Sequence, residues 1–521
     1  MARIAIIGAG FAGHTAALYL GDALGAGHEI TVVNRLEEFS YVPSWVWVGV
    51  GRMDLRKTRF PLRPVYDEFG VRFVHGRATE VHTDERFVVV EDGDDKGGVT
   101  RVDYDYLLIA TGPKLDFEGT KGLGPEAGFS ESICTGPHAE RARDHYLEEV
   151  ARMKKGERRR FVVGTGHPGA TCQGAAFEYI TNIHKDLVRR GVRAQADLLW
   201  LSNEQALGDF GVHGVRVRRK GRILSSEEFI EAAFREYGIG WRVKTGVLGL
   251  EEDKIHWEDF DGRSGETLYD FSMLIPRFLG QPLAFLDKEG RDVAAEVVAP
   301  TGLVKVDAKY GLAYEELSRD PDAWPSVYQN PAHPEIFAAG IAFAPPGPIS
   351  VPHVTPNGTS ISAAPPRTGM VSGIIGRVVA LNLIDLVTTG QMTHSERMTE
   401  MYAACIASMG DSLWDGSAAV IMIYPVVPDY RRYPNDEGRD LFVTPHGDGP
   451  GRRLDEAHDP DDVHAQAARP PGLAVHPGVR RSGVEITERD RFWMNNKLFQ
   501  FVRFVVLNLK ILKGVDASKR S

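Results

Sequence analysis

Two stretches of this chain share one local syntax, and that repetition limits the folds open to it. The first opens with the apolar run Arg3-Ile-Ala-Ile-Ile7 and turns through Gly8-Ala-Gly10-Phe-Ala-Gly13. A helical pattern follows from His14 to Leu24, then a second apolar run from Glu29 to Val33. The other stretch opens with Phe161–Val163 and turns through Gly164, Gly166 and Gly169, again the G-x-G-x-x-G spacing. A helix is predicted from about Gly169–Ala170, and a strand over Asp197–Leu201 closes the unit. Strand, glycine turn, helix and strand in that order make a dinucleotide-binding unit. Its glycines let the backbone approach a pyrophosphate, and its helix N-terminus offers free N–H groups. The expected class is α/β, with two Rossmann-like dinucleotide-binding domains.

The two units differ where a ribose would be read. The first has Asn34 there, with Glu37 and Glu38 beyond it; the second has Ser202-Asn203-Glu204. Asn34 can hydrogen-bond a hydroxyl, and Glu204 leaves some room for a nicotinamide dinucleotide. The second turn, however, places Cys172 in the first turn of its helix. There the positive end of the helix dipole is expected to favour a thiolate, so a reactive sulfur replaces the pyrophosphate. The basic run Arg216–Arg222 reads as a solvated loop.

Composition narrows the function. A chain of 521 residues has room for several domains, and its net charge of −10 argues against a nucleic-acid partner. Three cysteines, Cys134, Cys172 and Cys405, are too few for a disulfide scaffold, and without a Cys-x-x-Cys pair no metal site is predicted. No signal-peptide pattern precedes Arg3, and no window reaches the ~18 uncharged apolar residues of a spanning helix. The expectation is a protein that neither carries a cleavable signal nor crosses a bilayer.

Further along, Phe39 to Trp47 is an aromatic cluster suited either to core packing or to walling a planar ligand. Phe271-Ser-Met-Leu-Ile275 is a buried strand, and 296–330 reads as an insertion of turns and short strands. A helix is predicted from Arg367 to about Leu386, its N-terminus placed to stabilise an anion, with Arg367 adding a cation. Ser395 to Met409, carrying Cys405, reads as helical, and Ile421 to Pro428 as an apolar strand. Residues 430–489 have no apolar period. The segment 492–513 sets Leu498, Val502, Val505, Leu509 and Leu512 against Gln500, Arg503 and Lys510. Such a helix can lie in a membrane interface, although docking on the core is the alternative.

Three stretches around the cysteines resemble sulfide:quinone oxidoreductases: Ser132-Ile-Cys134-Thr-Gly-Pro-His138, Gly169-Ala-Thr-Cys172-Gln-Gly, and Ala404-Cys405-Ile-Ala-Ser-Met-Gly410. Leu207-Gly-Asp-Phe-Gly211, Pro366-Arg-Thr-Gly369 and Tyr424-Pro-Val-Val-Pro428 are similar to that family too. The resemblance implies a monotopic flavoprotein on the cytoplasmic membrane that oxidises sulfide and reduces quinone. It implies FAD, held by Gly8, Gly10, Gly13, Asn34, Arg77, Thr111, Gly112, Gly340, Arg367, Thr368 and Gly369. Ile341 stands where the flavoproteins usually have Asp. Cys172 and Cys405 would be the redox pair, with Cys134 beside the flavin edge. Since a helix-end thiolate is the better leaving group, the persulfide is expected on Cys405. Glu178 is a candidate proton shuttle, and His138 and His213 are candidate quinone or proton contacts. The implied organisation is 1–115 with 330–390 around FAD, 116–329 as the second unit, and 391–521 as a C-terminal region for membrane docking; a homo-oligomer is compatible with it. Alternatives are an NADH:quinone oxidoreductase of the same fold, a sulfide dehydrogenase flavoprotein subunit, and a flavin-bearing redox sensor.

Overall fold

The computed structural model describes residues 1–93, 97–219, 222–408, 418–439, 441 and 446–447. Its contacts divide the chain into a unit of Met1–Ala407 with Ala419–Gly447 and a second of Ser408–Ala418 with Asp448–Ser521. The architecture below is that of the first unit. The 492–513 helix and most of the 430–489 stretch lie outside the described residues.

The opening run forms the strand Arg3–Ile7 and pairs in parallel on both sides, with Glu29–Asn34 (Arg3 beside Glu29) and with Tyr106–Ile109 (Ile4 beside Tyr106). Ile4, Ala5, Ile6 and Ile7 are all buried, as a strand covered on both faces requires. The sheet runs Ile336–Ala338, Tyr106–Ile109, Arg3–Ile7, Glu29–Asn34, Arg72–His82, Phe87–Asp92, Val99–Asp103, with Ala284–Leu286 added beside Arg72–His82. Neighbours flank Arg3–Ile7 by opposite routes, so a crevice opens at its C-terminal end, where ligands of such sheets bind.

A second parallel sheet has the order Ile239–Arg242, Ala196–Leu201, Arg159–Thr165, Phe271–Ile275. Strands Pro113–Asp116 and Arg277–Gly280 pair antiparallel where the chain passes between the two halves. The long apolar helix Gly369–Thr388 has a mean hydropathy that would suit a membrane, yet half of its most apolar window is buried within the protein. It packs on the helix Phe11–Leu24: a Cβ added at Gly376 would meet the Ala12 carbonyl oxygen at 2.3 Å, so the absence of a side chain allows the approach.

Three local expectations are corrected. Ser395 to Met409 is not a helix: turns lead into the strand Tyr402–Ser408, in a three-stranded sheet with Ala418–Pro425 and His446–Gly447. Arg216–Arg219 and Arg222–Ser225 form an antiparallel hairpin instead of a loop. The 296–330 stretch holds short helical turns at Tyr314–Leu317 and Pro321–Ala323 and isolated bridges, but no strand longer than one residue among the described residues.

Candidate active site

The first glycine turn is shaped by what cannot be added to it. A Cβ on Gly8, whose φ is +103°, would meet the Ala110 carbonyl oxygen at 2.3 Å, and one on Gly13 would meet the Gly8 oxygen at 1.9 Å. A Cβ on Gly10 would meet nothing within 4 Å, so that side of the turn is open. The helix Phe11–Leu24 starts immediately after it. An open glycine ahead of a helix N-terminus, in the crevice of a parallel sheet, fits a pyrophosphate. Asn34 braces this turn: its Oδ1 accepts from the Ala9 N–H at 2.9 Å and its Nδ2 donates to the Leu36 carbonyl at 2.6 Å. These two bonds leave its amide one acceptor lone pair and one N–H.

Thr111 and Gly112 follow the strand Tyr106–Ile109, with Gly112 at φ +69°. Gly340 follows the strand Ile336–Ala338. Its added Cβ would lie 3.1 Å from Ala12 and 3.4 Å from Ser372, so it joins the two packed helices at the same end of the sheet. Thr368 caps the helix Gly369–Thr388, its hydroxyl accepting from the Val371 N–H at 3.4 Å. Gly369 abuts Phe11, the residue just after the open Gly10 and one the sequence reading did not single out. Arg77 is exposed on the strand Arg72–His82, opposite Glu91.

The second turn is closed where the first is open. Its Gly166 N–H donates to the Ile275 carbonyl at 2.8 Å, its Gly169 N–H to the His167 ring at 2.8 Å and its Ala170 N–H to the His167 carbonyl at 3.0 Å. Chain 362–365 then packs across it: Ser362 N–H donates to Pro168 and Ala364 N–H to Ala170, while the Thr171 hydroxyl donates to Pro365 at 2.7 Å. Asn203 ties the assembly together, its amide donating to the Pro168 and Ala170 carbonyls at 2.9 and 3.1 Å. Burial pushes the His167 ring down to about 4, consistent with its neutral Nδ1 accepting. Glu204 is fully buried, accepting from the Ser202 hydroxyl at 2.7 Å and the Phe210 N–H at 2.8 Å. That burial raises its carboxyl to about 8. It cannot reach a ribose, which corrects the room left for a second dinucleotide.

Cys172 occupies the N-cap of the helix Gln173–Arg189, in the left-handed region at φ 62° and ψ 33°. The helix therefore begins three to four residues later than predicted. The expected easy thiolate is also corrected. Burial raises the Cys172 thiol to about 11, outweighing the help from the Arg367 backbone and charge. With it fails the reason for placing the persulfide on Cys405, namely a readily released Cys172. The thiol donates to the Arg367 carbonyl at 4.0 Å, which brings it to the cap of the Gly369–Thr388 helix. Cys134 is raised to about 12, first by burial, with Cys172 close enough to add to the effect. Both thiols are free. Cys405 lies on the strand Tyr402–Ser408, but its side chain is outside the described residues.

Glu178 is half-buried on the Cys172 helix; the Tyr41 hydroxyl is raised first by burial, and the charge of Glu178 adds to it. Tyr41 in turn meets Phe11 edge-on at 5.7 Å. The two histidines are placed differently. His138 gives its Nε2 to Glu126 at 2.6 Å, and His213 sits at φ 62° with its N–H bound to Ser350. No hydrogen bond joins either to Cys172 among the described residues.

The pyridine nucleotide-disulphide oxidoreductase model matches residues 2–275, which span both glycine turns. A sulfide-quinone reductase of Aquifex aeolicus is 27% identical over 437 residues, 84% of this chain and 87% of that one. A solved structure of the sulfide:quinone oxidoreductase from Aquifex aeolicus matches with a TM-score of 0.65 and 26% identity, covering 86% of this chain and 87% of that one. A Plasmodium falciparum NDH2 structure shares the fold at a TM-score of 0.55 and 12% identity, covering 82% of this chain and 90% of that one. FAD is the cofactor, and the first turn is the one with room for it. With more than half its length inside the family model, the chain belongs to the pyridine nucleotide-disulphide oxidoreductases.

Proposed function

We propose that this flavoprotein oxidises sulfide to polysulfide or zero-valent sulfur and reduces quinone, using Cys172 and Cys405 as its redox pair. The observation that carries the reading is the approach of Cys172 to Arg367, which sets the cysteine of the second glycine turn at the cap of a helix packed on the Phe11–Leu24 helix. The sulfide-quinone reductase of Aquifex aeolicus, aligned over most of both chains, supports the same chemistry.

Gly8, Gly10 and Gly13 would hold the pyrophosphate of FAD, and Thr111, Gly112, Gly340, Thr368 and Gly369 its inner part. When bound, FAD supplies a two-electron acceptor for sulfur and a donor for quinone. The protein's own part begins with hydrosulfide attacking the Cys172–Cys405 disulfide. One sulfur becomes a persulfide and the other leaves as a thiolate, and the electron pair stays on sulfur. A thiol raised as far as Cys172 makes a strong nucleophile once ionised. Glu178, half-buried on the same helix, takes up or returns the proton. His138 and His213 are retained as quinone or proton contacts, Cys134 as the cysteine at the flavin edge, and the 492–513 helix as the membrane contact.

An NADH:quinone oxidoreductase is the second reading. The satisfied N–H groups of the second turn and the buried Glu204 argue against it. Anaerobic addition of sulfide to the purified protein, followed by a short-chain quinone, tests the proposal. The flavin should bleach and then recover; a flavin bleached by NADH and untouched by sulfide would support the rival.

A further inference from the structure

Cys172 is held in a conformation that its place in the chain does not ask for. A helix N-cap ordinarily has an extended backbone, yet Cys172 caps Gln173–Arg189 at φ 62° and ψ 33°. There the Cβ crowds the following carbonyl oxygen, and such a residue persists only where its surroundings fix it. Its exposure is equally out of line. Ala170, Thr171 and Gln173 are buried, and Cys172 between them is partly exposed.

The surroundings that fix it are two buried amides. Gln173 donates from Nε2 back across Cys172 to the Ala170 carbonyl at 3.3 Å, and also to the Asn203 Oδ1 at 3.0 Å. Asn203 donates from Nδ2 to that same Ala170 carbonyl at 3.1 Å, to Pro168 at 2.9 Å and to Ser362 at 3.4 Å. Three carbonyls around this nitrogen settle which way the Asn203 amide points, so its oxygen is the acceptor for Gln173. The Asn203 backbone N–H is anchored on the Thr165 hydroxyl at 3.1 Å, at the end of the strand that leads into the turn. On the near side of Cys172, the Thr171 hydroxyl is tied to Pro365. Relaxing Cys172 to an extended backbone would swing the Ala170 carbonyl away from the Gln173 side chain. The Gln173 Oε1 has no hydrogen-bond partner, so only the N–H end of this amide is used.

We propose that Gln173 and Asn203 are positioning residues for the sulfur step: together they lock Cys172 in its left-handed cap and so fix where its sulfur stands when hydrosulfide attacks the disulfide. The inference rests on the sulfide reading above and adds the device that aims its sulfur. Neither amide supplies a proton or a nucleophile, so both act on the rate through geometry alone.

Gln173→Met keeps the side-chain volume and removes the amide, while Asn203→Asp keeps the shape and the acceptor and removes the amide donors. In each FAD-loaded variant, flavin bleaching at saturating sulfide should slow by about a hundredfold, the cost of misplacing a reacting atom by about 1 Å. Reoxidation of the dithionite-reduced flavin by a short-chain quinone should keep its rate. A second measurement reads the conformation without turnover. Glycine is unstrained at positive φ, so Cys172→Gly should melt about 2 °C above Cys172→Ala. With Gln173→Met added to each, the two should melt together, because the cap is then free to relax. Unchanged bleaching in either Gln173→Met or Asn203→Asp overturns the proposal. So does a melting gap between the two Cys172 variants that is missing at the outset or survives Gln173→Met. Slower quinone reoxidation alongside slower bleaching also overturns it, by making the two amides general supports of the fold. If sulfide fails to bleach the wild type, the functional reading falls instead, while the melting gap still decides whether the lock exists.

Discussion

The Cys172 thiol donates to the carbonyl oxygen of Arg367 across 4.0 Å, although 195 residues separate the two in the chain. One residue caps a helix of the second sheet's unit, and the other directly precedes the cap of the helix packed on Phe11–Leu24. Their meeting brings the thiol of one glycine turn to a helix packed on the helix that follows the other.

Burial raises that sulfur's thiol more than its Arg367 and Thr171 contacts lower it. With its thiol raised to about 11, Cys172 is almost wholly protonated at neutral pH in the reduced protein. Only the thiolate alkylates. The rate of Cys172 modification by iodoacetamide, followed by peptide mass, should keep climbing about tenfold per pH unit from pH 7 to 10. A plateau below pH 8 would show that the thiolate is stabilised after all.

Closure of the second turn makes a negative prediction. NADH should neither bleach the flavin nor protect the protein from thermal unfolding, because the N–H groups of Gly166, Gly169 and Ala170 are already bonded. A stopped-flow trace at the flavin band checks the first point, and a melting scan with and without NADH the second.

Gly10 offers a probe of the open turn. An alanine there would have its Cβ more than 4 Å from any neighbouring atom, so the melting temperature of the apo-protein should hardly move. In the loaded protein the same methyl would crowd the pyrophosphate. FAD affinity of Gly10→Ala, measured by flavin fluorescence on titration, should fall by about tenfold or more. Unchanged affinity would place the dinucleotide elsewhere.

Glu204 predicts a pH dependence of stability. Its folded carboxyl is raised from 4.5 to about 8, so the folded state holds a proton that the unfolded state releases. Its contribution is fully present below about pH 4.5 and is lost as pH rises toward 8. Across that window the unfolding equilibrium should shift by up to about tenfold per pH unit, and Glu204→Gln should flatten that part of the profile. Denaturant unfolding at pH 5, 6, 7 and 8 measures both slopes.

The core of the fold was legible because strand burial and glycine spacing are local signals. Arg3–Ile7 and Phe271–Ile275 occur where the apolar runs predict them. Tyr402–Ser408 was misread because its alanines favour a helix in isolation, whereas pairing within a three-stranded sheet decides its state. The Cys172 environment was misread for a related reason. Position at a helix end is visible in sequence, but the burial that raises the thiol is a property of the folded chain and has no local signal. Asn203 stood in plain view at a strand end, yet its job of tying the turn to Ser362 depends on a distant segment.

The most direct test of the account is rapid anaerobic mixing of sulfide with the FAD-loaded wild type and with Cys172→Ala, read at the flavin absorption band. The wild type should bleach and hand its electrons to added quinone, and the variant should bleach slower by a factor on the order of a thousand or more. Equal bleaching in both proteins, or none in the wild type, would contradict it.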